Sequence, residues 1–495
     1  MSIRPDADLR AKPCPWDRKY SRYGCLICRA NAYLVCSKYC AMSGVTVDAP
    51  TNDSQPLSNP RTVRGWYMYD WANSVYNLVI TTTFFPIYFV AITKSSYGEK
   101  VPFLGRTFKG TSLYDYALAF AYLAIAILLP ILSSIADSRG NKKIFMQFFC
   151  YLGGFACMGL YWFDGSPESP PSVEWGLICF ILAAIGYIGS LVFYNSYLPE
   201  IAAKADQDRV SAKGYAMGYI GSVILQIVGF ALVVFVDSKA GSLLTFLLVG
   251  IWWIGFAQIT FFTLPKTRST GVKFQTSAFT AGFRELRKVS REIDAQPVLK
   301  WYLLAFFFYS MGVQTVMLAA TLFGADVLGL PDTNLIVTVV LIQLVAIGGA
   351  MVMSRLSHRF GNLKVLMGVI VFWIFICIAA YLVAHLKETT QQNVEYYFYA
   401  LAIGVGLVMG GIQSLSRSTY SKLMPATEDT ASYFSFYDVA EKIAIVIGIF
   451  AFGYIDELFG MKNSVLSLIV FFVIGLIGLR IARKKQKRAL ATGNA

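Results

Sequence analysis

The stretch Arg64-Gly65-Trp66-Tyr67-Met68-Tyr69-Asp70-Trp71-Ala72-Asn73-Ser74-Val75-Tyr76-Asn77 runs directly into the uncharged, mostly apolar segment Leu78–Ile92. Together they are long enough to cross a bilayer, which takes about 20 apolar residues in a helix. At helical spacing Asp70, Asn73 and Asn77 stand at i, i+3 and i+7 and are expected on one face. A carboxylate and two amides in a membrane helix are costly unless their stripe meets a cavity or another helix, so this face is the first candidate site.

Eleven further apolar segments follow, giving twelve expected spans: 66–93, 113–136, 144–163, 175–196, 214–236, 242–264, 301–325, 335–355, 365–384, 396–416, 433–455 and 464–482. The 495 residues are 56% hydrophobic and 15% charged, with mean hydropathy +0.55. That is too little charge for a soluble protein of this size, and the class is an all-α polytopic membrane protein. A net charge of +14 raises nucleic acid as a partner. The bases are instead distributed among alternate connections, as membrane orientation demands, so no nucleic acid is expected. Arg139/Lys142/Lys143, Lys204/Arg209/Lys213, Arg355/Arg359/Lys364, Arg417/Lys422 and the tail 483–488 mark one side, while acids dominate the other. Both termini are therefore expected in the cytoplasm. Lys94, Lys100, Arg106 and Lys109 dissent, lying on the expected outer side.

Cys150, Cys157, Cys179 and Cys377 fall inside spans and read as small core residues. The other five cysteines precede Met42. Cys25-x2-Cys28 and Cys36-x3-Cys40 have zinc-like spacings but only seven residues between the pairs. A disordered tail, or translation starting at Met42, is the plainer reading. No apolar segment with a small-residue cleavage site precedes the first span, so no cleavable signal peptide is expected.

The longest polar interruption is 265–299. Phe279, Phe283, Leu286, Val289 and Ile293 recur in it at helical spacing among Arg284, Arg287, Lys288 and Arg291. This predicts an amphipathic helix on the membrane surface. Gly140-Asn141-Lys142-Lys143 is echoed by Gly361-Asn362-Leu363-Lys364, 221 residues on, and Tyr194-x4-Pro199 by Tyr420-x4-Pro425, 226 on. Two echoes at nearly one offset suggest a six-plus-six parallel repeat, the architecture of alternating-access carriers. The expected domains are a tail 1–63, six-helix bundles 64–264 and 300–483 joined by the linker 265–299, and a basic tail 484–495.

Ala136-Asp137-Ser138-Arg139-Gly140-Asn141-Lys142-Lys143 resembles the signature between spans 2 and 3 of the major facilitator superfamily. Tyr69–Tyr76, Phe193–Ala202 and Gly410–Ser418 resemble its vacuole-effluxer-like branch more specifically. The resemblance runs from about Arg64 to the last span. It implies two six-helix bundles around a cavity lined by spans 1, 4, 7 and 10. Eukaryotic members are linked to releasing amino acids from the vacuole after autophagy; the short connections here look more like those of bacterial members, which mostly lack an assigned substrate. The resemblance also implies a conformational latch formed by Asp137 with Arg139, Lys142 and Lys143.

Tyr69, Asp70, Asn73 and Asn77 on span 1, Tyr194 and Asn195 on span 4, and Gln413 and Arg417 on span 10 are the candidate solute or coupling residues. Asp70 sits about one turn inside Trp66, nearer the gate than the midplane. It reads either as a protonatable or cation-pairing carboxylate or as a structural one. Arg417 reads as a holder of an anionic group or as a snorkelling anchor, and the sequence alone tilts toward the anchor. Glu200 reads as a solvated helix-end residue. Asp438, Glu441 and Lys442 stand in the first turns of span 11, and Glu441 needs a partner or a proton there: Lys442, Arg417 or a solute. No phosphate-loop sequence, metal-ligand cluster or hydrolase elbow is present in these segments, so no ATP drive, cofactor, metal site or enzyme activity is expected. The function expected is secondary transport of a small polar solute, of the amino-acid or related-metabolite class, by proton-coupled efflux. Import, or a transporter-like receptor or scaffold binding ligand or anionic lipid, is the alternative. The expected location is a bacterial inner membrane, or a vacuolar membrane in a eukaryote. The sequence sets no oligomeric state.

Overall fold

The computed structural model describes residues 58–166, 168–266, 278–390 and 394–491. The cysteine pairs before Met42 lie outside them. Among the described residues twelve long helical spans cross the molecule: Pro60–Tyr97, Gly110–Arg139, Lys142–Trp162, Val173–Ile201, Gln207–Phe235, Ser238–Thr263, Pro297–Val327, Asp332–Phe360, Asn362–Thr390, Glu395–Leu423, Thr430–Phe459 and Met461–Ala491. Eleven are long and apolar enough to span a bilayer; the remaining one, span 11, carries Asp438, Glu441 and Lys442 in its middle. They pack as two six-helix bundles, the major facilitator fold. Each helix begins before its expected apolar stretch and most also run past its end, because polar first and last turns continue the helix out of the bilayer. We call the end bearing Pro60, Lys142 and Ala491 the basic end.

The repeat is legible in the backbone. Gly140 and Gly361, the first residues of the echoed sequences, both take positive φ, 64° and 85°. Each closes a span that turns at once into the next, a conformation that favours glycine. The first span of each bundle also contains a π-helical segment, Tyr76–Phe84 and Phe323–Val327. Such wide turns interrupt the regular ladder and often occur at functional sites. The break in span 4 falls at Tyr197, and Pro199 opens the short helix Leu198–Ile201 rather than ending span 4 itself.

The basic residues on the far side have a local explanation. Lys94 pairs with Glu99 at 2.8 Å, and Arg106 belongs to a hairpin of Val101–Phe103 with Arg106–Phe108. The linker forms the helix Ala278–Asp294 at the basic end. Val289 and Ile293 are buried, whereas Phe283 is exposed. Gly282 lies against Ile131 of span 2, Lys288 pairs with Asp429 at 2.8 Å, and Tyr433 Oη donates to Glu292 at 2.7 Å. Partial burial opposes the charge of Lys288, but Asp429 and Glu285 outweigh it and hold the ammonium above the ordinary lysine range.

Candidate functional site

Span 1 presents two polar stripes rather than one. Asp70 reaches the other bundle and Asn77 the cavity between the bundles, while Tyr69 and Tyr76 pack within their own bundle, and Ser74 lies against Gly218 of span 5. Tyr69 packs 5.2 Å from the Tyr194 ring and 6.1 Å from Phe261, and Tyr76 lies 5.3 Å from Tyr187. Asn73 is fully buried, and neither polar atom of its side chain has a partner among the described residues. The expected grouping of Asn73 with Asp70 and Asn77 is therefore corrected: Asn73 is buried without a polar partner among the described residues, whereas Asp70 pairs with Arg417 and Asn77 lines the cavity between the bundles.

Asp70 is joined across the bundles to Arg417. Arg417 Nη2 donates to Asp70 Oδ2 at 3.1 Å, and Tyr194 Oη donates to the same oxygen at 2.8 Å. Arg417 also donates through Nε to Ser211 Oγ at 2.9 Å, through Nη1 to Asn195 Oδ1 at 3.2 Å and through Nη2 to the Ser211 carbonyl at 3.0 Å. Its guanidinium lies 4.3 Å from the Tyr215 ring centre and 4.8 Å from that of Trp66. A planar fork with several fixed acceptors and aromatic faces is a site for arginine that lysine would not fill. Arg417 is 2% exposed, so it is no snorkelling anchor. The sequence missed this because Arg417 stands near a span end, where anchors belong.

Two further ties flank this pair. Asp137, at the end of span 2, accepts from the backbone N–H of Ala431 (3.2 Å) and of Ser432 (2.8 Å), and from Ser432 Oγ (2.8 Å). It therefore caps span 11 of the opposite bundle, where the helix dipole and unsatisfied N–H groups favour an anion. Lys142 bridges Asp137 (3.0 Å), Glu200 (2.6 Å) and Thr430 Oγ1 (2.6 Å). Glu200 is accordingly tied to Lys142 and to Thr430 of the opposite bundle rather than being a solvated helix end. The other two latch candidates do not join it: Lys143 donates to the Leu264 carbonyl at 3.0 Å, and Arg139 is exposed. On the other flank Asp208, opening span 5, accepts from Ser357 Oγ (2.8 Å), Asn362 Nδ2 (2.7 Å) and Lys422 Nζ (2.5 Å). Sequence reasoning missed Asp208 among its basic neighbours Arg209 and Lys213. Its partner Asn362 was visible only as part of the echo.

Above this floor is a cavity of about 140 Å³ lined by both bundles. Asn77, Gln413, Ser416 and Glu441 line it, with Tyr122, Tyr187, Tyr215, Tyr309 and Tyr437. Tyr219 Oη donates to Gln413 Oε1 at 3.1 Å. Gln314 Nε2 donates to Glu441 Oε1 at 3.3 Å, and Lys442 Nζ to Glu441 Oε2 at 2.9 Å. Of the candidates, Asn77, Gln413 and Glu441 reach the cavity. Asp70, Tyr194, Asn195 and Arg417 form its floor, and Tyr69 and Asn73 do neither. The tyrosine lining was not singled out beforehand, since scattered tyrosines in apolar segments carry no fixed spacing.

The arrangement can enclose a small polar solute between two bundles and close one end by charge pairing. Solved structures share its architecture. A bacterial homologue of the iron transporter ferroportin in an outward-facing state aligns with TM-score 0.61 at 14% identity, over 86% of this chain and 99% of that one. The proton:xylose symporter XylE does so with TM-score 0.61 at 13%, over 86% and 94%. The MFS-type transporter YxiO of Bacillus subtilis (strain 168) is 32% identical over 83% of this chain and 92% of its own length. Autophagy-related protein 22 of Kluyveromyces lactis is 24% identical, covering 91% and 100%. The family model described as "Vacuole effluxer Atg22 like" matches residues 58–491. With that match spanning both bundles, the chain belongs to the Atg22-like vacuole effluxer family, a multi-pass transporter branch of the major facilitator superfamily.

Proposed function

We propose that this protein is a secondary carrier exporting a small polar solute of the amino-acid or related-metabolite class by proton-coupled alternating access. The observation that carries the reading is the Asp70–Arg417 pair (3.1 Å), which joins the two bundles beneath a cavity lined by both. Contacts that form between bundles only when one end is shut are what a rocking carrier must break to open it. The two flanking ties, at Asp137 and Asp208, belong to the same closed end. The basic end is assigned to the cytoplasm, from the distribution of Lys and Arg, and the membrane to a bacterial inner membrane. Coupling is assigned to buried carboxylates facing or flooring the cavity, which bind a proton or a cation more readily than they remain bare.

The test is counterflow of labelled amino acids in liposomes under an imposed pH gradient, with Asp70→Asn in parallel. Exchange that responds to the gradient and changes in the variant supports the reading. Silence from folded wild-type protein across the whole panel refutes the amino-acid class.

A further inference from the structure

Span 11 places Glu441 and Lys442 at the wall of the cavity, with Asp438 buried behind them one turn earlier on the same helix. Lys442 Nζ is 2.9 Å from Glu441 Oε2 and 3.7 Å from Asp438 Oδ1. Asp438 is 4% exposed, and its Oδ2 has no hydrogen-bond partner among the described residues. The charges acting on Asp438 are those of Lys442 and Glu441. The titratable groups facing the cluster from other elements are phenols, Tyr122 of span 2, whose ring centre is 5.9 Å from Lys442, with Tyr187, Tyr215 and Tyr309 of spans 4, 5 and 7, and the Gln314 amide of span 7 donates to Glu441. Fully ionised, the cluster carries one uncompensated negative charge and one bare oxygen away from bulk water. Such a charge is costly until a positive one joins it. Asp70 has no such vacancy, because Arg417 already matches it.

We propose that Asp438 holds an exchangeable proton and that the ammonium group of a small cationic amine takes its place, so that the cluster accepts one positive charge at a time. This rests on the carrier reading and narrows its solute class. When the amine enters, R–NH₃⁺ pairs with the carboxylates, the Asp438 O–H bond breaks, and its proton leaves with cavity water. No bond to the solute forms, and the site is neutral before and after. Two ligands that exclude each other at one site move in opposite directions through a carrier. Proton and amine are therefore exchanged. A zwitterion brings its own carboxylate, restores the negative charge and leaves the proton in place.

Three probes separate these cases: valine, isobutylamine, which is valine without the carboxylate, and 3-methylbutanoate, which is valine without the amine. The full chain in lipid nanodiscs is titrated calorimetrically in two buffers of different ionisation enthalpy, which counts protons released. Isobutylamine should bind with release of about one proton, valine should bind with almost none, and 3-methylbutanoate should not bind. Asp438→Asn should release none and bind isobutylamine at least about tenfold more weakly. Glu441→Gln should also abolish release, because the net charge of the cluster sets the exchange. Release absent from the parent, or surviving in either variant, overturns the proposal, as does binding of 3-methylbutanoate equal to that of the amine. Counterflow of labelled isobutylamine without proton release refutes this inference and leaves carriage standing. Proton-linked binding without counterflow upholds the site and refutes carriage.

Discussion

Neutralising Asp70 should open the basic end. In the closed form the carboxylate accepts from Arg417 and Tyr194, and both members of the ion pair are buried. Removing one partner of a buried pair costs about 3–5 kcal/mol, chiefly because the other charge is stranded. Asparagine keeps an oxygen for Tyr194, and Arg417 keeps Ser211 and Asn195, so the lower figure applies. At about 1.4 kcal/mol per factor of ten, a loss of about 3 kcal/mol shifts the closed-to-open ratio roughly a hundredfold. The reporter is Ser310→Cys, a buried cavity position, in a background with the five tail cysteines replaced by serine. The four cysteines within the spans are buried and stay silent. Labelling by an impermeant maleimide from the basic side should be at least about tenfold faster with Asp70→Asn. Adding Arg417→Gln removes the stranded charge and should bring the rate back toward the parent, a non-additivity expected only of contacting residues. An unchanged labelling rate in Asp70→Asn, or strict additivity in the double variant, would refute the argument that this pair holds the gate.

Gly214→Ala should reproduce the opening without touching a charge, since its Cβ would stand 2.3 Å from Asp70 Oδ2 and 2.9 Å from Arg417 Nη2; the same labelling assay reads it. Asp208→Asn should speed labelling by about tenfold, less than Asp70→Asn, because water can replace the lost acceptor at the partly exposed Lys422. Asp237 caps span 6, and the N–H groups of Ala240 and Lys239 lower its carboxyl below the ordinary value. Its stabilisation is therefore complete above the unfolded value of about 3.9 and is lost as pH falls through the lowered one. The Tm gap between parent and Asp237→Ala should be level near neutrality and close in acid; a gap that persists there refutes the capping role.

The fold was legible because its evidence is additive along the chain. Twelve apolar segments, alternating bases and two echoes each constrain topology, and an error of a few residues at a boundary changes nothing. The site was legible only where one residue type admits few environments. Asp70 and Glu441 stood out because a carboxylate in an apolar helix must have a partner. Arg417, Glu200 and Asp208 were misread or missed because each stands at a span end, where water and a buried partner are equally good company. Choosing between them requires knowing which ends meet, and that is tertiary information. Asn73 was misassigned for a related reason: spacing along one helix does not show which residues of a shared face the neighbouring helices bury and which they leave at the cavity.

The floor of the cavity has an electrical polarity that spacing along one helix cannot show. Asp70, Asp137, Glu200 and Asp208 all come from the first bundle. The second supplies Arg417, Lys422 and the N-terminus of span 11. Lys142 tempers this by lying among the acids of its own bundle. Closure thus brings unlike charge together, but each group gives up water to make its tie, and desolvation of buried ions offsets most of the Coulombic gain. Opening reverses both terms by returning the same groups to solvent. Apolar surfaces pressed together would gain from water exclusion and lose that gain wholly on opening. Matched charges instead leave the two forms close in free energy while making any single unmatched group expensive. On the proposed carrier reading, a gate so built opens readily when all its ties release together and shifts sharply when one is neutralised, which is why single isosteric substitutions, rather than deletions, are the sensitive probes of it.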